Sequence, residues 1–193
     1  FHSDGGYSGM DRVFYKDAFA KLKGWRDSDA VKDPVLHRQL DILYMSFLGY
    51  QVDTALLDRM TELSNQVDQL FNTFRGEVNG KKLTENEIRK ILRESTSNAE
   101  VEAAWKAYQA VGKLIEPKLT ELVKLRNRSA KEVGYANFHA LQLATQEFDG
   151  RELVALFDRL DEDTAGIFKA LKADVDEAMA KRFGVKVADL RPW

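Results

Sequence analysis

The side chains able to do chemistry in this 193-residue chain are few, and their spacing excludes more than it permits. Its histidines are His2, His37 and His139. A hydrolytic zinc site needs two histidines one helical turn apart, so that both imidazoles reach one ion, with a glutamate between them to activate the bound water. These three stand too far apart for that motif. None has a glutamate three residues before it, as a carboxylate-bridged metal bundle requires. His37 and His139 therefore read as ordinary imidazoles rather than ligands. There is no cysteine, so a disulfide framework, a thiolate metal site and a catalytic thiol are all excluded from this segment. A glycine-rich phosphate loop and a serine nucleophile elbow are also missing.

Three weaker constellations remain. Asp158, Asp161, Glu162 and Asp163 form the densest acidic group. Such oxygens suit calcium or magnesium, but the ligand spacing and turn glycine of a calcium loop are absent, and a solvated helix face accounts for them. Trp105, Tyr108, Tyr135 and Phe138 offer flat surface on which an extended peptide could lie; core packing needs no such role and is the favoured reading. Asn127 falls in the middle of a helical pattern where asparagine is not intrinsically favoured, and a bridge to a neighbouring helix explains it better than contact with a substrate.

The elements that must carry these residues are helices. Only three prolines and twelve glycines punctuate the chain. A first helix is expected over residues 11–23, with Val13, Phe19 and Leu22 inside and Gly24 near its stop. Asp33 as cap and Pro34 at the first helical position open a second, in which Leu36, Leu40, Leu43 and Phe47 share a face up to Gly49. After Asp53, Leu56, Met60, Leu63, Val67, Leu70 and Phe74 keep one stripe for about five turns. Asn79-Gly80 marks a tight hairpin turn within residues 76–83. Thr84 with Glu87, and Ser97 with Glu100, match the capping-box pattern for two further helix starts. The second of these helices carries Val101, Trp105, Tyr108 and Ile115 and is expected to kink or restart at Pro117. It then runs through Leu119, Leu122 and Val123 to a glycine cap at Gly134. A short helix over residues 137–147 follows. Asp149 with Glu152 then starts a long one whose Leu153, Leu156, Leu160, Ile167, Leu171, Val175, Met179 and Phe183 are expected to be buried, up to Gly184.

The composition suits such an array: 44% of residues are apolar and 31% charged, with 29 basic against 31 acidic side chains. Balanced, interspersed charge is no nucleic-acid footprint, so no nucleic-acid partner is expected. The longest stretch free of both charged residues and histidine, Ile42 to Val52, is short of the roughly 20 residues of a membrane span. No membrane span is expected, and the compartment stays open between cytoplasm and periplasm. Residues 1–10 read as a loop or ragged start, and residues 11–193 as a single helical unit. The fold class expected is all-α, a multi-helix array with one small β-hairpin insertion.

Five segments in order, Phe71-Asn-Thr-Phe-Arg75, Val78-Asn-Gly-Lys-Lys-Leu-Thr-Glu-Asn-Glu-Ile88, Leu122-Val-Lys-Leu-Arg-Asn127, Gly134-Tyr-Ala-Asn-Phe138 and Leu190-Arg-Pro-Trp193, resemble bacterial peptidases similar to angiotensin-converting enzyme. These are relatives of the thimet oligopeptidase and oligoendopeptidase group. The resemblance runs from about Asp33 to Trp193, while Gly5-Gly-Tyr-Ser-Gly9 has no counterpart. It implies the amino-terminal half of a two-lobed helical metallopeptidase that cleaves short peptides through a zinc-activated water. It further implies that both zinc-binding histidines, their glutamate and the later glutamate ligand fall after this segment. Zinc would then be bound by the downstream part, and the partners would be the carboxy-terminal catalytic half and short peptide substrates. No catalytic, cofactor-binding or metal-binding residue is assigned within the chain, and the segment by itself is expected to be inactive. The rival expectation, from a helical array without chemistry, is a non-catalytic protein-interaction module.

Overall fold

The computed structural model describes residues 9–28 and 30–193, with side chains from Lys16 onward. The expected loop over residues 1–10 falls almost wholly outside them, as do His2 and the side chain of Val13. Among the described residues the chain is an all-α array with one hairpin. Its helices are α1 (Gly9–Asp27), α2 (Pro34–Leu48), α3 (Thr54–Thr73), α4 (Glu85–Glu94), α5 (Asn98–Gln109), α6 (Val111–Glu132), α7 (Phe138–Thr145) and α8 (Gly150–Phe183). The strands β1 (Gly76–Val78) and β2 (Lys81–Leu83) lie between α3 and α4, and a 3-10 turn at Val187–Asp189 follows α8.

Local chemistry sets most of these limits. Asp33 accepts from the Val35 and Leu36 amides, each at 2.9 Å, and so starts α2. Asp53 accepts from Leu56 N at 3.1 Å at the start of α3. Thr84 and Glu87 form the full reciprocal capping box of α4: Thr84 Oγ1 accepts from Glu87 N, and Thr84 N donates to Glu87 Oε2 at 2.7 Å. At α5 only half of that box forms. Ser97 Oγ accepts from Glu100 N at 3.4 Å, while the Glu100 carboxylate turns to the Ser95 hydroxyl at 2.6 Å. Asp149 accepts from Arg151 N and Glu152 N at 2.8 and 3.0 Å, opening α8. Gly134, at φ 91°, closes α6 while Tyr135 N returns to Ala130 O at 2.9 Å.

Two boundaries differ from expectation. α1 runs through Gly24 to Asp27. The interruption expected at Pro117 falls earlier, between Gln109 and Val111, and α6 continues through the proline. Pro117 and Lys113, whose carbonyl loses its amide partner, are both exposed, so water can take up that carbonyl.

The chain divides into two compact units. The first comprises residues up to Thr61 together with Val123–Glu152. Its core gathers Leu48, Ala130 and Leu141, with Phe19, Tyr44, Met45, Val133, Tyr135 and Phe138 packed around them. The second unit comprises Glu62–Leu122 and Leu153–Trp193. There β1 and β2 pair antiparallel in the register Gly76 to Leu83, Glu77 to Lys82 and Val78 to Lys81. Val78 reaches a core with Ile88, Ala104 and Ala107. Gly76 is required at this contact, because a Cβ there would stand 2.7 Å from Ile88 Cδ1 and 2.8 Å from the Ala107 carbonyl oxygen.

The α8 expectation is corrected more deeply. Leu156, Leu160, Ile167, Leu171, Val175 and Met179 are exposed, Ile167 to 75%, and only Ala180 on this helix is buried. Periodicity identifies residues that share a face; it does not say that this chain covers the face. Leu36 and Leu43 of α2 are likewise exposed, whereas Leu40 is buried.

Candidate functional site

An open cleft of about 350 Å3 lies in the first unit, lined by Val31, Lys32, Pro34, His37, Arg38 and Asp41 along the first turns of α2. Helical spacing puts His37 and Asp41 on one face, and His37 Nδ1 stands 3.3 Å from Asp41 Oδ2. The other oxygen, Oδ1, accepts from Arg26 Nε of α1 at 2.8 Å. The Arg26 guanidinium also lies over the Tyr44 ring, 4.5 Å from its centroid, and Tyr44 stacks on Phe19. The Arg26 hydrogen bond holds the Asp41 carboxyl below its ordinary value, against the opposing cost of partial burial.

Beside it, Arg38 grips Glu147 with both ends of its guanidinium. Nη2 donates to Oε2 at 2.6 Å and Nη1 to Oε1. This fork also lowers the Glu147 pKa, the hydrogen bonds from Arg38 being the first cause. Glu147 has a left-handed backbone, φ 61°, in the short turn between α7 and α8. Such a conformation is unusual for a residue with a side chain. Asp41 and Arg38 of the cleft are thus held by Arg26 and Glu147 outside its lining, an arrangement that ties α1, α2 and the α7–α8 turn together within the first unit. Its lining contains no serine, threonine or cysteine.

The remaining candidates are placed as follows. His139 is exposed on α7. Asp158, Asp161, Glu162 and Asp163 are exposed along α8. Among the described residues no three His, Cys, Asp or Glu side chains converge to hold a metal ion. Trp105 and Tyr108 are half-buried in the second unit. Trp105 lies 5.7 Å from the Trp193 ring, and Tyr108 packs on the hairpin core while Arg89 donates to its hydroxyl at 2.9 Å. Tyr135 and Phe138 pack in the core of the first unit. All four aromatics serve as packing residues in these positions. Asn127 does bridge helices: its Oδ1 accepts from the Phe138 amide at 3.0 Å, joining α6 to the start of α7. The Arg38–Glu147 pair has no sequence signal, its members being 109 positions apart. The His37–Asp41 pair was readable from spacing on a helix and was missed.

The family model described as angiotensin-converting enzyme, peptidase family M2, matches residues 8–192. The chain belongs to this family. No curated protein and no solved structure matches it. As a member of the angiotensin-converting enzyme family it is a peptidase-family chain, and peptidases of this family are generally zinc-dependent. The side chains described here do not fit a zinc ion, because no cluster of three ligating groups exists among them. No helix among the described residues is long and apolar enough to cross a membrane.

Proposed function

We infer that this chain is the amino-terminal helical part of a zinc-dependent peptidase that hydrolyses short peptides, as an oligopeptidase or a peptidyl-dipeptidase. Residues 11–193 would form one half of a two-lobed domain, and the zinc ligands would lie on sequence after Trp193. One combination of observations carries this reading. The family match spans residues 8–192, yet no metal-ligating cluster exists among the described residues. The role left to this chain is positional: its helices supply channel wall that orients an extended peptide against groups held elsewhere. Orientation of this kind is worth a great deal in rate, since a misplacement of about 1 Å can cost roughly a hundredfold.

The exposed side of α8 supports the same reading. Phe157, Ile167, Phe168 and Leu171 expose 59–75% of their surface on one helix, which suits a face built to meet the remainder of the domain. The test is reconstitution. Mixing this chain with the downstream half should restore cleavage of a quenched fluorescent peptide that neither half cleaves alone, and should quench the binding of an apolar dye to the isolated chain. If the halves associate, load zinc and still leave a broad peptide library uncut, the protein-interaction module becomes the better account.

A further inference from the structure

We propose that Asn79 is a site of spontaneous covalent modification, at which the chain deamidates and rearranges to isoaspartate, cutting the register of the β1–β2 hairpin. The chain has seven asparagines, and Asn79 is the one followed by glycine. Both residues lie in the left-handed region, Asn79 at φ 51° and Gly80 at φ 78°, as the two central positions of a hairpin turn. Both are exposed, and apart from Gly80 itself and its two chain neighbours no heavy atom lies within 4 Å of where a Gly80 Cβ would stand. No other segment packs against the tip of the turn at Gly80, and the Gly80 nitrogen is the amide adjacent in sequence to the Asn79 side chain.

The chemistry balances without any oxidant, reductant or cofactor. The Gly80 nitrogen loses its proton and bonds to Asn79 Cγ; the Cγ–Nδ2 bond breaks and ammonia leaves, closing a five-membered imide. Water then opens the ring. Attack at Cγ yields aspartate, whereas attack at the Asn79 main-chain carbonyl breaks the original peptide link and routes the chain through the side chain as isoaspartate. Exposed Lys81 and Lys82 place positive charge beside the amide that must lose its proton. The turn must open for the attack, but a pair of three-residue strands with an exposed tip resists opening weakly.

The other asparagines are held back by their settings. Asn65 and Asn72 sit within α3, where the following amide is committed to the helix, and the amide after Asn86 donates to the Thr84 hydroxyl that caps α4. Asn98 Oδ1 accepts from Trp193 Nε1, Asn127 Oδ1 from the Phe138 amide, and Asn137 Oδ1 from the Ala140 amide. Asp149-Gly150 is a useful internal contrast, because its carboxylate caps α8 through the Arg151 and Glu152 amides. Those hydrogen bonds engage its carboxylate at the start of α8 and hold it below its ordinary pKa.

Conversion at Asn79 has a structural consequence. Isoaspartate adds one carbon to the main chain inside a two-residue turn, so the pairing of Val78 with Lys81 cannot be kept. Val78 is 5% exposed against Ile88, Ala104 and Ala107, so the disturbance enters the core of the second unit.

The experiment incubates the folded chain at mildly alkaline pH, digests aliquots over time, and follows by mass spectrometry the replacement of an amide by a hydroxyl, with enzymatic methylation marking isoaspartate. The peptide bearing Asn79 should convert first and mostly to isoaspartate, while the peptide spanning Asp149 stays unchanged. Gly80→Ala should slow the conversion severalfold, and Asn79→Gly, which keeps a positive-φ turn, should abolish the signal without unfolding the chain. The converted form, separated by its extra negative charge, should melt below the parent. If Asn79 stays amidated in the folded chain, or converts no faster than the helical asparagines, the proposal is overturned.

Discussion

Gly76 shows how narrow the local tolerances are. Gly76 faces Ile88 Cδ1 and the Ala107 carbonyl at distances that leave no room for a methyl group. Gly76→Ala should therefore destabilise the second unit by about 1–3 kcal/mol, the usual cost of overpacking a well-filled contact, because the obstacle includes backbone that cannot swing away. Thermal melting checks it, and an unchanged midpoint would show that β1 can shift freely. Arg38 and Glu147 supply the acid dependence. Both Glu147 and Asp41 titrate below their ordinary values, so the stability they contribute is complete above the ordinary carboxylate range and is lost as pH falls through their lowered values. Arg38→Ala should reduce the loss of stability on acidification, relative to the parent. Denaturant midpoints at neutral pH and at about pH 3 measure it.

At the scale of elements, helix starts were legible because caps are local chemistry. Asp33, Thr84, Ser97 and Asp149 each bind an amide two or three residues on, so sequence spacing contains the whole interaction. Thr84→Ala should cost the chain about 1 kcal/mol, and Thr84→Ser should recover most of it, as read by denaturant unfolding. The hairpin was legible for the same reason. Pro117 misled because a proline inside a helical pattern reads as a break, whereas an exposed helix can leave one carbonyl to water and carry on. The Arg38–Glu147 pair was illegible, since it depends on how distant segments meet. Within the candidate cleft, spacing could have exposed the His37–Asp41 half and nothing more.

On the scale of the whole molecule, the stripe along α8 was read correctly as a shared face and wrongly as a buried one. Its apolar repeat records a requirement for cover that the described residues do not meet, and the same is true of chemistry: the chain matches a peptidase family from residue 8 to 192 but gathers no metal-ligating cluster among its described residues. Both facts find one explanation if the catalytic groups and the cover for α8 come from the same following sequence. The most direct measurement is peptide hydrolysis by the complete gene product, assayed with short quenched fluorescent peptides before and after chelation, with zinc content determined in parallel. The account predicts about one zinc per chain, cleavage that chelation abolishes and zinc restores, and no zinc retained by residues 1–193 alone after dialysis. A folded, zinc-loaded product that leaves a broad peptide library intact, or tight stoichiometric zinc on this segment alone, would contradict it.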